Sequence, residues 1–304
     1  MKEDERIKLP GGRWLGYADY GDPAGHPVLY FHGWPSSRYQ AAYLDGKARD
    51  RRLRILAPDR PGIGLSDPLP GRRFGDWPQD VADFADALGL GRFELLGISG
   101  GGPYTLATCA KLGGRVEKAA MICGAPPLAK KEDRAHMHWA YRSLAGMKSA
   151  RRHALPAIIP LSRWMIGRGA HKAPMSWMLK SVPPVDREAL FTGSGWDMVT
   201  RSYLEAIRHG RDGMLADGEL YLEPWDFQPE AIRVPMRIWH GMADANLPCE
   251  VAKKLAARIP TAEGHWIEGE GHYSIALRYA AAALDWLAGG DGSAAARKQA
   301  STIP

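Results

Sequence analysis

A serine framed by glycines, Ser99, lies in the stretch Gly97-Ile98-Ser99-Gly100-Gly101, between an apolar run and a segment with helical spacing. This pattern at a strand-to-helix turn is typical of a nucleophile elbow, which exposes the serine hydroxyl at a helix N-terminus. The glycines allow the strand and helix to approach closely, and the helix N-terminus favours a developing negative charge. We predict that Ser99 is a nucleophile, the alternative being an idle serine in a glycine-rich connection.

A serine hydroxyl is a weak nucleophile unless a base accepts its proton, and a carboxylate usually orients that base. Two later residues supply this pair. Asp244 follows the apolar run Met236–Trp239, and His272 follows Gly271 after the last apolar run. The order serine, acid, histidine is the one that accompanies nucleophile elbows. We therefore predict His272 as the general base and Asp244 as the carboxylate that orients it.

Several other titratable residues compete for these roles. His265 falls inside a strand-like run rather than beyond its end, and Glu268 and Glu270 are too close in sequence to the predicted base to orient it easily from a separate loop. His136 and His138 are two residues apart, so they would point to different sides of a helix and make a poor metal pair. No metal or cofactor is expected.

Acyl transfer also requires donors for the oxyanion, one from the residue after the nucleophile and one from a loop after an early strand. The first would be the Gly100 N–H. The second would be the Trp34 N–H, in the loop His32-Gly33-Trp34-Pro35 that follows the apolar run Val28–Phe31. We predict that these two N–H groups form the oxyanion hole.

The elements that must position these residues alternate along the chain, which predicts an α/β fold with a mostly parallel central sheet flanked by helices. Six apolar runs are expected to be strand cores: Val28–Phe31, Leu53–Ala57, Phe93–Leu96, Ala119–Cys123, Met236–Trp239 and Trp266–Ile267. Four stretches have helical spacing: Val81–Leu88, Pro103–Lys111, Glu250–Arg258 and Tyr273–Leu287.

The alternation breaks at residues 125–233, a stretch rich in Trp and Met that is expected to be an inserted, mainly helical lid. Residues 1–124 and 234–288 would then form the two parts of the core domain. Residues 289–304 have almost no large apolar side chain and are expected to be a disordered tail. Most of the positive charge surplus and most of the methionines lie in the lid segment.

The bulk composition is that of a globular protein of 304 residues, 45% hydrophobic and 24% charged. No apolar stretch is long enough for a membrane span, and the charged N-terminus lacks the apolar run of a signal peptide, so a cytoplasmic location is expected. Three widely spaced cysteines indicate neither a disulfide framework nor a zinc site. The net charge of +6 comes without a basic block of the nucleic-acid-binding type.

These motifs together resemble the α/β-hydrolase superfamily, in the lidded branch of esterases, lactonases, cofactor-free haloperoxidases and carbon–carbon bond hydrolases. The resemblance extends from about Lys8 to Leu287. It is carried by HGWP at 32–35, DRPGIGLSD at 59–67, GISGG at 97–101, HGMAD at 240–244 and GH at 271–272. It implies the same three catalytic roles and makes DRPGIGLSD a loop that supports the site. Ser99 excludes epoxide hydrolases and haloalkane dehalogenases, which have aspartate at the elbow, and dienelactone hydrolases, which have cysteine there.

The resemblance leaves a set of chemistries that share one triad. The leading expectation is hydrolysis of a small or medium apolar ester, thioester or lactone through an acyl-enzyme. Alternatives are carbon–carbon bond hydrolysis or lyase chemistry by the same triad, and a ligand receptor with negligible turnover. Four tryptophans and four methionines could line an apolar pocket under the lid or form the lid's own core: Trp139, Trp164, Trp177, Trp196, Met137, Met165, Met175 and Met178. The positive lid charge suggests a rival preference for anionic substrates, and the oligomeric state stays open.

Overall fold

In the computed structural model, which describes residues 1–135, 137, 142–143 and 159–290, eight strands form one sheet. In chain order they are β1 (Lys2–Lys8), β2 (Trp14–Gly21), β3 (His26–Phe31), β4 (Leu53–Pro58), β5 (Phe93–Ile98), β6 (Val116–Ile122), β7 (Met236–Gly241) and β8 (Ala262–Ile267). Their order across the sheet is β1-β2-β4-β3-β5-β6-β7-β8. Pairs involving β1 and β2 are antiparallel, and the others are parallel.

The central parallel strands are apolar because helices cover both faces of the sheet. Every residue of β5 is buried, and continuous apolar runs of this kind are what a parallel sheet with two covered faces requires. Each of the six predicted strand cores lies in, or within one residue of, an observed strand. The predicted α/β fold is confirmed.

The N-terminal strands β1 and β2 are the part of the sheet that the sequence analysis missed. Strand β1, KEDERIK, alternates exposed and half-buried positions, and six of its seven side chains are charged. An edge strand with one solvated face needs few apolar residues, and charges on it discourage pairing with another chain. Its pattern therefore gave no apolar run to detect.

Helices lie on both faces of this sheet. Those in the described part of the chain are α1 (Asp45–Arg49), α2 (Trp77–Ala87), α3 (Gly102–Leu112), α4 (Met175–Lys180), α5 (Pro184–Phe191), α6 (Gly195–Ala206), α7 (Asp212–Leu220), α8 (Cys249–Ala256) and α9 (His272–Leu287), and residues 159–168 are also helical. Phe84, Leu106 and Leu255 bring α2, α3 and α8 to one face. Ala48 and Leu284 bring α1 and α9 to the other face.

The segment between β6 and β7 is helical where it is described, with α4 to α7 and residues 159–168. It belongs to the stretch in which a helical lid was predicted, and its role as a movable cover stays a prediction. Part of that stretch, and the predicted tail from residue 291 onward, lie outside the described residues. Among the described helices, none is both long and apolar enough to cross a bilayer.

The three cysteines are free and buried: Cys109, Cys123 and Cys249. They act as small apolar side chains in the packing, since free cysteine is among the most buried residue types. Cys109 and Cys123 belong to the clusters on the two faces of the sheet.

Candidate active site

Ser99 stands at a sharp turn between β5 and α3. Its φ is +52°, a left-handed conformation that is costly for a residue with a side chain. A Cβ at Gly97 would lie 2.1 Å from Thr105 Oγ1, and a Cβ at Gly101 would lie 2.0 Å from Phe31 O. Glycine is therefore required on both sides of the turn. Ser99 itself is half-buried and lies at the carboxyl end of the sheet.

His272 begins helix α9, directly after the loop that leaves β8. Its Nε2 lies 2.9 Å from Ser99 Oγ, within hydrogen-bond distance. Its Nδ1 lies 2.7 Å from Oδ2 of Asp244, which sits in the loop after β7. The elements β5, β7 and α9 thus bring the three predicted residues into one hydrogen-bonded chain, although 173 positions separate Ser99 from His272. Their roles as nucleophile, base and orienting acid stay predictions.

The Asp244 carboxylate is fixed by its own loop. Its Oδ1 accepts hydrogen bonds from the N–H groups of Asn246 at 2.8 Å and Leu247 at 2.9 Å, which leaves Oδ2 for His272. The side chain is fully buried. Each carboxylate oxygen therefore has a separate task, one in the loop and one toward the imidazole.

A second histidine, His240, contacts the same carboxylate and was missed by the sequence analysis. Its Nε2 lies 3.4 Å from Asp244 Oδ2 and 3.1 Å from the Leu247 carbonyl oxygen. Burial lowers the pKa of His240 and so favours the neutral ring. The Asp244 charge acts in the opposite direction but does not outweigh burial. Its position in the HGMAD motif, four residues before the acid, was the available signal.

The His272–Asp244 pair shifts both pKa values toward the ion pair. Burial alone would lower the pKa of His272, but the Asp244 charge outweighs that effect and the pKa is raised well above 6.5. Burial alone would raise the pKa of Asp244, and His272 reverses that shift, so this pKa is lowered from 3.8. The pair can therefore hold a proton on the imidazole with the carboxylate ionised.

The residues predicted to form the oxyanion hole lie beside Ser99. An ideal Cβ at Gly33 would be 3.4 Å from Ser99 Cβ, and one at Gly100 would be 2.8 Å from the Trp34 backbone N. The loop after β3 and the first turn of the elbow are therefore in direct contact. This places the Trp34 and Gly100 peptides together at the serine, and their function as donors stays a prediction.

A buried ionic cluster supports the loop that carries Trp34. The Arg60 guanidinium donates hydrogen bonds to the carbonyl oxygens of His32 and Gly33, the latter at 2.8 Å. Asp217 of α7 accepts from Arg60 at 2.8 Å and also from Arg72. Arg60 lies in the DRPGIGLSD stretch, which was expected to be a supporting loop. Its contact with the carbonyls and the contribution of Asp217 were not predicted.

Of the competing residues, the three that the structure describes have side chains that do not contact Ser99, Asp244 or the His272 ring. His265 lies in β8, where its ring stacks on Trp239 with centroids 5.2 Å apart. Glu270 pairs with Arg278 at 3.2 Å, and Glu268 is exposed. His136 and His138 lie outside the described residues.

A cavity of about 370 Å³ opens onto Ser99 and His272. Three of the eight side chains expected to line a pocket do so: Met137, Met175 and Trp196. The expectation is wrong for Trp164, Trp177 and Met178, which are more than half exposed, and Met165 is buried elsewhere. Trp139 lies outside the described residues. Composition could not separate these cases, because which side a helical residue faces depends on how its helix packs.

A group of potential metal ligands lies at the N-terminal ends of the parallel strands, the end of the sheet opposite Ser99. His26, Glu94 and Glu117 offer ligand atoms within 4.8 Å of one another. His26 begins β3 and Glu94 is near the start of β5, whereas the serine and the Trp34 loop follow the far ends of those strands. This group takes no part in the site, and the expectation of a reaction without metal or cofactor stays a prediction.

Comparison with known proteins agrees with this architecture. Residues 26–157 match the family model for the α/β hydrolase fold. The chain is 30% identical over 281 residues to 2-hydroxy-6-oxo-2,4-heptadienoate hydrolase of Pseudomonas putida, covering 87% of this chain and 91% of that protein. It is 34% identical over 132 residues to a non-heme chloroperoxidase of Streptomyces lividans, a match that covers 42% of this chain and spans 47% of that protein's length.

A solved bromoperoxidase from Bacillus anthracis has the same fold, with a TM-score of 0.64 and 22% identity, covering 98% of this chain and 100% of that one. The match to the Pseudomonas hydrolase extends across both parts of the core and the segment between them. This chain belongs to the α/β-hydrolase superfamily.

Proposed function

We propose that this hydrolase cleaves a neutral, apolar carboxylic ester, thioester or lactone through an acyl-enzyme. Ser99 Oγ attacks the carbonyl carbon while its proton passes to His272 Nε2, and Asp244 stabilises the resulting imidazolium. The Trp34 and Gly100 N–H groups stabilise the oxyanion. When the carbonyl reforms, His272 gives its proton to the leaving group. Water, deprotonated by His272, then attacks the ester on Ser99, and His272 returns that proton to Ser99 Oγ as the acid is released.

The observation that carries the substrate class is the lining of the cavity at Ser99. Among the described residues that line it, most are apolar and none is a lysine or an arginine. Glu219 is the charged carboxylic residue among them. A substrate carboxylate would enter without a cationic partner, and an unpaired charge in an apolar site is strongly unfavourable. This favours neutral substrates, because the positive charge of the lid segment does not extend to the described residues that line the pocket.

A second candidate is carbon–carbon bond hydrolysis by the same residues. It is favoured by the 30% identity over most of the chain to the Pseudomonas hydrolase. The named substrate of that protein is a ketone that carries a carboxylate and no ester. The cavity of this chain offers such a carboxylate no cation among its described residues, which places this candidate second.

The substrate class is tested with two aryl esters of matched size. We expect p-nitrophenyl pentanoate to be cleaved with a kcat/KM at least about tenfold above that of mono-p-nitrophenyl glutarate, whose terminal carboxylate would be desolvated without a partner. The rates are measured at two salt concentrations, with a vinylogous diketo acid as a third substrate. Faster, salt-sensitive cleavage of the glutarate would contradict the neutral preference, and turnover of the diketo acid alone would favour the second candidate.

The pH dependence follows from the His272–Asp244 pair. His272 must be neutral to accept the serine proton, and its pKa is raised well above 6.5 by Asp244. A raised pKa means that the ring loses its proton only at higher pH, so activity is lost on the acid side. We expect kcat/KM for the neutral ester to rise with pH, with an apparent midpoint above 6.5. A flat profile between about pH 5 and 8 with chemistry rate-limiting would argue against a histidine base, and a midpoint below 6.5 would contradict the raised pKa of His272.

A further inference from the structure

We propose that Asp186 is a positioning residue for the general base: its carboxylate, supplied by the segment between β6 and β7, fixes the backbone on which His272 stands. The inference rests on the proposed function. It assigns to part of the predicted lid a role in building the catalytic centre, in addition to covering it.

The contact is a set of three hydrogen bonds from one end of a helix. Asp186 Oδ2 accepts from the His272 N–H at 3.0 Å, and Oδ1 accepts from the N–H groups of Tyr273 at 2.8 Å and Ser274 at 2.9 Å. These are first-turn donors of α9, which no carbonyl of that helix can reach. The negative charge at this end also suits the helix dipole. A side chain 86 positions earlier in the chain therefore caps the helix that begins with the base.

The carboxylate is packed against this loop with no spare room. Asp186 is 1% exposed. A Cβ at Gly271 would lie 2.4 Å from Asp186 Oδ2 and 2.5 Å from Oδ1, so the residue before the base must be glycine. On the other side, a Cβ at Gly241 would lie 2.2 Å from the Glu270 carbonyl oxygen. The loop before His272 is thus held between α5 and the end of β7.

This position matters to the reaction because His272 must satisfy two distances at once, 2.9 Å to Ser99 Oγ and 2.7 Å to Asp244 Oδ2. The imidazole has two side-chain torsions, and the position of its backbone sets where the ring can be. A displacement of about 1 Å in a catalytic group can cost about 10²-fold in rate. A cap that binds the N–H of the base residue itself therefore acts on the reaction and on helix stability together.

The variant Asp186→Asn tests this role because it nearly preserves shape. If the amide oxygen keeps the Tyr273 and Ser274 N–H groups, the NH₂ group faces the His272 N–H, donor against donor. We expect the rate constant for fluorophosphonate labelling of Ser99, and kcat on the neutral ester, each to fall about tenfold or more, with KM within about threefold. Asp186→Ser, which keeps a short capping acceptor, is the second variant should the asparagine protein not fold.

A matched control is available two residues away on the same helix. Glu188 also reaches from α5 to α9, in an exposed pair with Arg278 at 3.5 Å, and it does not touch the base. Glu188→Gln should label and turn over at the wild-type rate. All variants are measured well below their own Tm.

A purely structural cap would lower Tm and leave the labelling rate and kcat unchanged, and that result, or a loss confined to KM, overturns the inference. If the wild-type protein labels at Ser99 and Asp186→Asn labels equally fast, the role of Asp186 is rejected. The proposed function is unaffected by that result. Wild-type protein that does not label at Ser99 rejects the proposed function itself. The two failures are therefore distinguishable.

Discussion

Replacing Ser99 with alanine should lower kcat on the neutral ester by about 10³-fold or more while the protein stays folded. The substitution removes the attacking oxygen and very little volume. It also ends the 2.9 Å contact with His272, so the imidazole has no proton to accept from the enzyme. What remains is binding and oxyanion stabilisation without a nucleophile. The loss should therefore appear in kcat, with KM changed far less.

Ser36 provides the matched control, because its hydroxyl also lines the cavity but bonds Ser202 Oγ at 3.1 Å rather than the base. Ser36→Ala should keep most of the turnover and should still be labelled by a fluorophosphonate. Near wild-type turnover by Ser99→Ala would refute an acyl-enzyme formed on Ser99, and an adduct on another serine would refute Ser99 as the nucleophile. A wild-type protein that neither labels nor cleaves any ester or ketone would favour a receptor.

Replacing Asp244 with asparagine should lower kcat by about 10⁴-fold, the loss found when the orienting acid of a triad becomes an amide. The geometry of this loop gives the reason. The Asn246 and Leu247 N–H groups already bind Oδ1, so the amide oxygen will stay there and the NH₂ group will point at His272 Nδ1. Nδ1 must then act as an acceptor, which puts the ring proton on Nε2, where the serine proton should go.

The same variant should lose the raised pKa of His272, since Asp244 is the main group that raises it. The acid limb of the residual activity should move to lower pH. Glu270→Gln is the control, because Glu270 is the competing acid and bonds Arg278 rather than the imidazole. If Glu270→Gln caused the large loss and Asp244→Asn did not, the acid would be misassigned.

The sequence allowed the central sheet and the three residues at its edge to be predicted because their signals are local. Buried strands such as β5 are continuous apolar runs, and the elbow at Ser99 needs glycines within two residues on each side. Asp244 lies in the loop directly after β7, and His272 begins the helix that follows the loop after β8. The carboxyl ends of parallel strands lie at the same end of the sheet, so the topology brings together the residues that the motifs predict to be catalytic.

The supporting residues could not be predicted in this way. Asp186 binds the backbone of His272, 86 positions away in the sequence. Asp217 binds Arg60, which supports the Trp34 loop, 157 positions away. No spacing rule relates residues so far apart on separate helices. In the sequence each is an ordinary acidic residue of a helical segment, and only the packing of its helix shows that it is buried. Strand β1 was missed for a different reason. Its side chains are mostly charged, and the sequence analysis identified strands by apolar runs.

The ionic cluster behind the Trp34 loop has an electrical consequence. Two guanidinium groups, Arg60 and Arg72, face one carboxylate, Asp217, and all three side chains are at most 5% exposed. The cluster therefore keeps a net positive charge in the interior, and Arg60 donates hydrogen bonds to the carbonyl oxygens of His32 and of Gly33, the latter at 2.8 Å. Hydrogen bonds polarise the groups that they join. The charge on Arg60 therefore draws electrons toward the Gly33 carbonyl oxygen, which makes the Trp34 N–H of the same peptide a stronger hydrogen-bond donor. Water and salt screen such a buried charge weakly. The protein thus holds a standing electric field at the predicted oxyanion site, fixed by folding before any substrate arrives.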